Sequence, residues 1–251
     1  TRPNSLAHRT TWLRSDFNYI GFVCNGAYAE KYVGKASNAY LLGDNVSDVA
    51  AGLIDPLMVA YHAVRRSRIR LHDKVLVAGS GIIGQLIGAL AKKAGASYVA
   101  MSKVNDQKII RSKEIGDFDD YFDGNDSGSI EAMQQTTKGG FDIAFEAVGS
   151  AEALNTCIEG VRPGGQVVMI GNSMEERVPF ALNRAVLREI RLTGSVSCTR
   201  KEFEETIDLI DSGMIDPEKY VTDVMPLEEL QHAFERLISP DDPVVKIVIK
   251  P

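Results

Sequence analysis

Cysteine is scarce in this sequence, and the few cysteines are far apart. Cys24, Cys157 and Cys198 are the only three in 251 residues. A disulfide-bonded scaffold and a Cys-x-x-Cys metal knuckle both need closely spaced cysteines, so neither is expected. A chain of this length can bury a sizeable core without such cross-links. We therefore expect reduced thiols and a cytoplasmic location.

An excess of basic charge and a long apolar run are lacking as well. The 28 Lys and Arg residues are outnumbered by 34 Asp and Glu residues, which gives a formal net charge of −6. That balance argues against a nucleic-acid binder. The longest apolar stretch, residues 75–91, contains Ser80 and Gln85 and is shorter than the roughly 20 residues that a membrane-spanning helix needs. We expect neither a nucleic-acid nor a membrane partner.

From about residue 56 onward, short apolar runs alternate with segments of helical periodicity. This alternation predicts an α/β fold with a parallel sheet between helices. Between the first two runs, Leu86, Ile87 and Leu90 share one helical stripe, which completes a strand–helix–strand unit. The predicted strands are Val75–Ala78, Tyr98–Met101, Asp142–Phe145, Gln166–Ile170 and Arg191–Val196.

The two ends of the chain have a different character. Thr199 and Glu202 have the spacing of a capping box, which predicts that a helix begins there. Strands are predicted at Tyr220–Met225 and Val244–Ile249, around a helix at Leu227–Leu237. The first fifty residues carry short β-like segments with turn residues.

Residues 116–128 interrupt the pattern with several aspartates and glycines. Their spacing partly fits a calcium loop, but the position that should supply a bidentate Glu is Gln134. We interpret the segment as a solvated surface turn.

A glycine motif of the form GxGxxG follows the first predicted strand directly and opens the predicted helix. In that context the first glycine allows a tight turn, the second lets the backbone approach a pyrophosphate, and the third lets helix and strand pack closely. Free N–H groups and the helix dipole favour the anion. A glycine turn in another sheet protein or a methyltransferase-type loop has the same spacing, but the strand before and the helix after favour a dinucleotide. The predicted cradle consists of Gly79, Ser80, Gly81, Ile82, Ile83 and Gly84.

The end of the second predicted strand bears on the choice of dinucleotide. An NAD site usually has Asp or Glu there, accepting from the ribose hydroxyls. This chain has Ser102 and Lys103, with Lys108 further along. A cation attracts a 2′-phosphate, so NADP is favoured over NAD, although an exposed lysine without a ligand would give the same pattern.

Several further segments fit one family when they are taken together. They are Gly26–Glu30, Ile54–Leu57, Ala60–Arg66, Lys93–Ala96, Phe141–Gly149, Arg162–Gly165 and Leu192–Ser195. With the glycine motif, they make the chain similar to the medium-chain dehydrogenase/reductase superfamily, and within it to the zinc-type polyol and secondary-alcohol dehydrogenases such as sorbitol and 2,3-butanediol dehydrogenases.

This resemblance implies a Rossmann-type, doubly wound parallel sheet at residues 56–197. Residues 1–55 would be the remnant of a GroES-like β-rich catalytic domain, which residues 198–251 rejoin. The implied activity is hydride transfer between NAD(P) and a small secondary alcohol or polyol, in a homodimer or homotetramer. Residues implied to touch the nicotinamide half are Ala147, Val148, Gly149, Ile170, Gly171 and Asn172.

Two positions outside that domain also follow from the resemblance. Lys246 resembles a basic residue that reaches the cofactor phosphates, although by itself it fits a solvated lysine equally well. Asp55 stands where the family has a catalytic Glu that coordinates or approaches zinc, or else it caps the helix starting at Pro56.

The remaining zinc ligands of the family cannot be placed in this sequence. Cys24 and His8 precede Gly26 without metal-ligand spacing. The chain is then a fragment, a shortened paralogue, or a non-catalytic dinucleotide-binding protein. A zinc-independent reductase of the quinone-reductase kind stays open, with Tyr61 as its candidate electrophile.

Overall fold

The computed structural model describes residues 20–21, 23–103, 106–124, 126–239 and 241–251, without the side chains of residues 103 and 106–108. The chain divides into two compact units. One is Val59–Val196, and the other combines Thr1–Met58 with Ser197–Pro251. The GroES-like assignment of the chain ends remains a prediction.

The unit Val59–Val196 is built on a six-stranded parallel sheet. Its strands are β1 (Lys74–Ala78), β2 (Tyr98–Lys103), β3 (Asp120–Asp123), β4 (Phe141–Glu146), β5 (Val161–Met169) and β6 (Arg191–Gly194). Their spatial order is β3-β2-β1-β4-β5-β6, which is the doubly wound order of a Rossmann fold. The predicted α/β class is confirmed.

Nine α-helices accompany the strands in the described part of the chain. They are α1 (Asp48–Ala51), α2 (Ile54–Arg66), α3 (Ile82–Lys93), α4 (Asp106–Ile115), α5 (Ser129–Thr137), α6 (Ala151–Gly160), α7 (Leu182–Leu187), α8 (Arg200–Asp211) and α9 (Leu230–Ile238). Among the residues described, none of these helices is both long and apolar enough to cross a membrane.

The apolar runs form the central strands of the sheet. Helices cover both faces of these strands, so side chains on both faces are buried. Val75, Leu76 and Val77 of β1 have no solvent exposure, as expected of a central parallel strand. The predicted stripe of α3 is buried too, with Leu86, Ile87 and Leu90 packed inward. The apolar run and the helical periodicity therefore correctly predict the strand and the helix of this strand–helix–strand unit.

The prediction of a surface turn at residues 116–128 was wrong, because β3 lies within that segment. Its acidic residues bond to the neighbouring strand instead of facing only water. Asp119 accepts the Val99 N–H at 2.8 Å, and Asp120 accepts the Tyr98 hydroxyl at 3.0 Å. Phe122 is buried and anchors the strand. An edge strand tolerates this polarity because only one of its sides is paired within the sheet.

The second unit contains the capping box and a small parallel strand pair. Thr199 Oγ1 accepts from the Glu202 N–H and Glu202 Oε2 from the Thr199 N–H, so α8 begins as predicted. Strands β7 (Asp223–Pro226) and β8 (Ile247–Lys250) pair in parallel. Both begin about three residues later than predicted, within the usual uncertainty of element ends.

The β-like segments predicted in the first fifty residues are not strands where the structure describes them. Within that part of the chain there are an isolated bridge between Ile20 and Cys24 and a 3-10 helix at Ala36–Asn38. Apolar residues there, such as Val33 and Leu41, are almost fully exposed. No strand in the described ranges pairs with these residues, so their local β propensity does not produce a sheet there.

Candidate functional site

The candidate site lies at the carboxyl edge of the sheet, where the strand order reverses. β1 pairs with β2 on one side and with β4 on the other, so the connections that follow β1 and β4 leave in opposite directions. Ser102, Ala78, Glu146 and Met169 lie level with one another at the ends of β2, β1, β4 and β5. Open α/β sheets bind ligands in the crevice formed at such a point.

The three motif glycines are required for three different physical reasons. Gly79 has φ +123°, a backbone angle that L-residues with a side chain rarely adopt. A Cβ on Gly84 would lie 2.0 Å from the Gly79 carbonyl oxygen, so helix and turn touch there. A Cβ on Gly81 would meet no protein atom within 4 Å. The space beside Gly81 is therefore open to a ligand.

The N-terminus of α3 faces that open space. Gly81 is its N-cap residue and supplies no side-chain cap, so the first N–H groups of the helix need another acceptor. The turn is held by a hydrogen bond from the Gly79 N–H to the Ser102 carbonyl at 3.1 Å. Buried Gln85 donates from Nε2 to the Ser80 carbonyl, also at 3.1 Å. This arrangement fits a diphosphate group.

The turns after β4 and β5 lie against each other next to the glycine loop. Ala147 N–H donates to the Ala78 carbonyl at 2.9 Å, which ties the β4 turn to the end of β1. A Cβ on Gly149 would lie 2.4 Å from the Asn172 carbonyl oxygen, and one on Gly171 would lie 2.1 Å from the Gly149 nitrogen. The structure therefore brings the predicted residues 147–149 and 170–172 together at the same edge as the glycine loop.

The predicted phosphate-selecting residues lie at the end of β2 and in α4. Ser102 is buried. Lys103 is the last residue of β2 and pairs with Asp123 of β3 in the sheet register. Lys108 lies in α4. The side chains of Lys103 and Lys108 lie outside the part that the structure describes, so the assignment of both residues remains a prediction.

Within the part of the chain that the structure describes, a small cavity adjoins the glycine loop and a larger one lies elsewhere. The small cavity has a volume of about 20 Å³ and is lined by Gly79, Ser102, Val148 and Thr156, among others. The larger, of about 340 Å³, belongs to the other unit and is lined in part by Asp211 and Glu218. These two carboxylates already accept hydrogen bonds from Asn45 and Ser47. Size alone therefore does not identify the functional site.

Asp55 and Lys246 lie near each other in the unit that combines the two chain ends. Helix α2 begins at Ile54, so Asp55 lies within its first turn; the alternative that Asp55 caps a helix starting at Pro56 was wrong. Burial raises the pKa of the Asp55 carboxyl, and the nearby Lys246 ammonium opposes that rise. Burial also lowers the pKa of Lys246, which is only partly exposed to solvent. Lys246 is therefore partly buried near a carboxylate and is not a fully solvated surface lysine.

The described residues around Asp55 do not fit a catalytic zinc ion. Tetrahedral zinc needs three or four N, S or O donors, and no three His, Cys, Asp or Glu side chains in the described ranges come together in that way. The Cys198 thiol donates to Met58 Sδ, and burial, reinforced by Glu202 and Asp55, raises its pKa to about 12. Asp55 thus faces a cation and a protonated thiol. His8 lies outside the described residues.

The sequence motifs did not predict a role for two residues at the site. Gln85 holds the glycine loop from within α3, and Glu146 is a buried carboxylate at the end of β4. The available signal was polarity in an apolar context, since Gln85 stands in the most apolar stretch and Glu146 ends an apolar strand. A buried polar group has to be hydrogen-bonded, so such positions indicate local constraint.

Comparison with known proteins identifies the family and agrees with the fold. The family model described as zinc-binding dehydrogenase matches residues 83–212, more than half of the chain. The chain is 30% identical over 242 residues to (R,R)-butanediol dehydrogenase of Neisseria gonorrhoeae, covering 95% of this chain and 68% of the relative. It is 25% identical over 228 residues to sorbitol dehydrogenase of Bacillus subtilis, covering 90% of this chain and 64% of the relative.

Two solved structures show the same architecture. The 2R,3R-butanediol dehydrogenase of Bacillus subtilis is 27% identical with a TM-score of 0.75, over 84% of this chain and 60% of that one. A protein from Sinorhizobium meliloti, described as a zinc-binding dehydrogenase and crystallised bound to NADP, is 25% identical with a TM-score of 0.86, over 95% and 70% of the two chains. The chain thus spans about two thirds of the length of these proteins. By sequence and by fold, it belongs to the zinc-binding dehydrogenase family of the medium-chain dehydrogenase/reductase superfamily.

Proposed function

We propose that this chain binds NAD(P) at the carboxyl edge of the sheet and serves an oxidoreductase that moves hydride between the nicotinamide and a secondary alcohol or polyol. The observation that carries the proposal is the uncapped N-terminus of α3 beside the open space at Gly81. Backbone N–H groups with no side-chain acceptor, at the positive end of a helix, favour an anion such as a diphosphate. The named relatives, butanediol and sorbitol dehydrogenases, support the substrate class.

The residues of the chain have distinct roles in this proposal. The Gly79–Gly84 loop holds the diphosphate, and the turns after β4 and β5 provide one wall for the nicotinamide half. The bound nicotinamide supplies the hydride-transferring ring. The two turns pack closely enough to exclude a side chain between them, and the exposed Val148 side chain lines the small cavity beside the glycine loop. No step through zinc is proposed, because the described donors do not fit it.

Fluorescence titration of the intact chain with NADPH and with NADH tests the proposal. We expect at least one of them to bind with a Kd below about 1 mM, with the change in nicotinamide emission that accompanies immobilisation. AMP, which lacks the diphosphate and the nicotinamide, serves as the weak-binding comparison. Absence of binding by both dinucleotides at millimolar concentration would refute the proposed function.

We further propose NADP as the preferred dinucleotide. Lys103 follows Ser102 at the end of β2, where an NAD site has an acidic residue. Replacing Lys103 by Asp exchanges an attractive charge for a repulsive one. We expect Lys103→Asp to weaken NADPH binding by about tenfold or more and to leave NADH binding unchanged or tighter.

A charge-matched control separates this local effect from a change in the overall electrostatic potential of the protein. Lys93→Asp makes the same charge change at the other end of α3, on an exposed side chain. We expect it to leave the ratio of NADPH to NADH affinity unchanged, because exposed charges beyond a Debye length are screened. An unaltered ratio in Lys103→Asp would remove Lys103 from the site.

A second candidate function is dinucleotide binding without zinc-dependent chemistry. It is favoured by the donor set around Asp55, which lacks a tetrahedral arrangement within the described residues. The quinone-reductase alternative keeps Tyr61 as its candidate electrophile; the Tyr61 hydroxyl accepts from Arg65, one turn further along the same helix, at 3.3 Å. Metal analysis beside assays with 2,3-butanediol and sorbitol separates these candidates. Turnover together with stoichiometric zinc favours the zinc-type dehydrogenase.

We also propose a cytoplasmic location and a homo-oligomeric assembly. Cys24, Cys157 and Cys198 are free thiols, which suits a reducing compartment such as the cytoplasm. Homodimerisation or homotetramerisation rests on the family resemblance alone, and size-exclusion chromatography with light scattering measures it directly.

A further inference from the structure

Glu146 is a buried carboxylate whose side chain bonds to the turn that follows it. It is 3% exposed at the end of β4. Its Oε1 accepts the N–H of Val148 at 2.8 Å and the N–H of Gly149 at 2.7 Å. Burying a carboxylate is costly unless it is hydrogen-bonded, and N–H groups donating to a charged oxygen make strong bonds. The side chain therefore fixes the conformation of the β4 turn.

The main chain of the same residue holds the neighbouring turn. The Glu146 carbonyl accepts the N–H of Ile170 at 2.8 Å and the N–H of Gly171 at 3.0 Å. The two turns are in such close contact that neither can move far without displacing the other. Glu146 thus fixes two backbone segments at once, one through its carboxylate and one through its carbonyl group.

The β4 turn contacts the glycine loop at Gly79, at the end of β1. The β4 turn is bonded to β1 through the Ala147 N–H and the Ala78 carbonyl. A Cβ on Gly79 would lie 3.2 Å from Val148 Cγ2, whereas the space beside Gly81 is open. Disturbing the β4 turn should therefore affect the nicotinamide half of a bound dinucleotide more than the phosphates at the start of α3.

We propose that Glu146 is a positioning residue that holds the nicotinamide half of the cofactor site in its binding conformation. It acts as a hydrogen-bond acceptor for the β4 turn and is not itself expected to touch the nicotinamide. This inference rests on the proposed binding of NAD(P). Glu146 would influence the cofactor only indirectly, through the backbone of Val148 and Gly149.

The test compares a whole dinucleotide with its adenosine part. Glu146→Leu removes both acceptor oxygens at similar side-chain volume, and Glu146→Gln keeps one. We expect Glu146→Leu to weaken NADPH binding by about tenfold, the loss typical of hydrogen bonds to a charged group. Binding of 2′,5′-ADP, which has no nicotinamide half, should stay within about twofold of wild type. If the wild type prefers NADH, the two ligands to compare are NADH and ADP.

Rescue by the conservative variant distinguishes positioning from a general structural role. Glu146→Gln should bind NADPH within about threefold of wild type because its carbonyl oxygen still accepts from the turn. Asp142→Asn is the matched control on the same strand, since Asp142 accepts from Lys74 N–H and Arg162 Nε at the opposite edge of the sheet. It should change stability without changing the NADPH to 2′,5′-ADP ratio.

Hydrogen exchange on the ligand-free protein provides a second readout. In Glu146→Leu the amides of Val148 and Gly149 should exchange about tenfold faster, and in Glu146→Gln they should stay close to wild type. Equal loss of NADPH and 2′,5′-ADP affinity, or unchanged exchange, would overturn the role of Glu146. Wild-type protein that binds no dinucleotide would instead refute the proposed function, and this inference with it. If the leucine variant fails to fold, Glu146→Asp, with its shorter reach, takes its place under the same expectations.

Discussion

Gly81→Ala is expected to weaken NADPH binding on the order of 100-fold, the loss that corresponds to a steric overlap of about 3 kcal/mol with the bound ligand. The added methyl group enters the space that the structure leaves open beside the N-terminus of α3. We propose that the diphosphate lies in that space, so the methyl group and the ligand would compete for it.

The fold itself should tolerate the same substitution. Gly81 has φ −73° and ψ 178°, which alanine adopts without strain. Alanine is a poorer N-cap than glycine, but it lowers the entropy of the unfolded chain, and these effects nearly cancel to within about 1 kcal/mol. Thermal unfolding beside the NADPH titration checks both expectations.

Gly128→Ala is a suitable control for Gly81→Ala. Gly128 is the N-cap residue of another helix, α5, with ordinary dihedral angles and only ordinary contacts around an added Cβ. It should have a similarly small effect on stability and no effect on NADPH affinity. Wild-type affinity in Gly81→Ala would mean that the diphosphate does not lie over Gly81.

Gly84→Ala is expected to lower both stability and binding. Within a helix this exchange normally stabilises by about 1 kcal/mol through propensity. Here the new Cβ would lie 2.0 Å from the Gly79 carbonyl oxygen and 3.0 Å from its carbon. Forcing a methyl group into such a contact costs about 1–3 kcal/mol or more, so the steric cost outweighs the gain in propensity.

We expect the Tm of Gly84→Ala to fall by about 4–8 °C, as roughly 2 kcal/mol would produce in a chain of this size. NADPH affinity should fall with it, because the loop must open to relieve the contact with Gly79. Differential scanning fluorimetry with and without NADPH measures both. An unchanged Tm would contradict the tight packing of helix against turn. Gly81→Ala, which leaves the fold intact, provides the contrast.

The parts of the fold that the sequence predicts correctly are those with strong local signals. The apolar run of β1, the stripe on α3 and the three glycines between them lie within twenty consecutive residues, and each depends on its immediate neighbours. The capping box at Thr199 is local in the same way. Such features can be recognised without knowledge of what packs against them.

The parts that were predicted wrongly depend on contacts between distant residues. Asp120 looks like a loop residue until Tyr98 of the adjacent strand is placed beside it. Val33 and Leu41 look like strand residues, yet no strand among the described residues pairs with them. The role of Glu146 depends on which backbone groups surround it. Side-chain identity cannot supply these pairings because they arise only when the sheet assembles.

With a dinucleotide bound at the uncapped start of α3, as proposed, the stability of this chain depends on the concentration of that nucleotide. A group that binds only the native state adds RT ln(1 + [L]/Kd) to the free energy of unfolding, about 2.7 kcal/mol at one hundred times the dissociation constant. The N–H groups at Gly81 lack an internal side-chain acceptor, and an added anion satisfies them only in the native state. Resistance to proteolysis should therefore rise and fall with the nucleotide concentration around the protein.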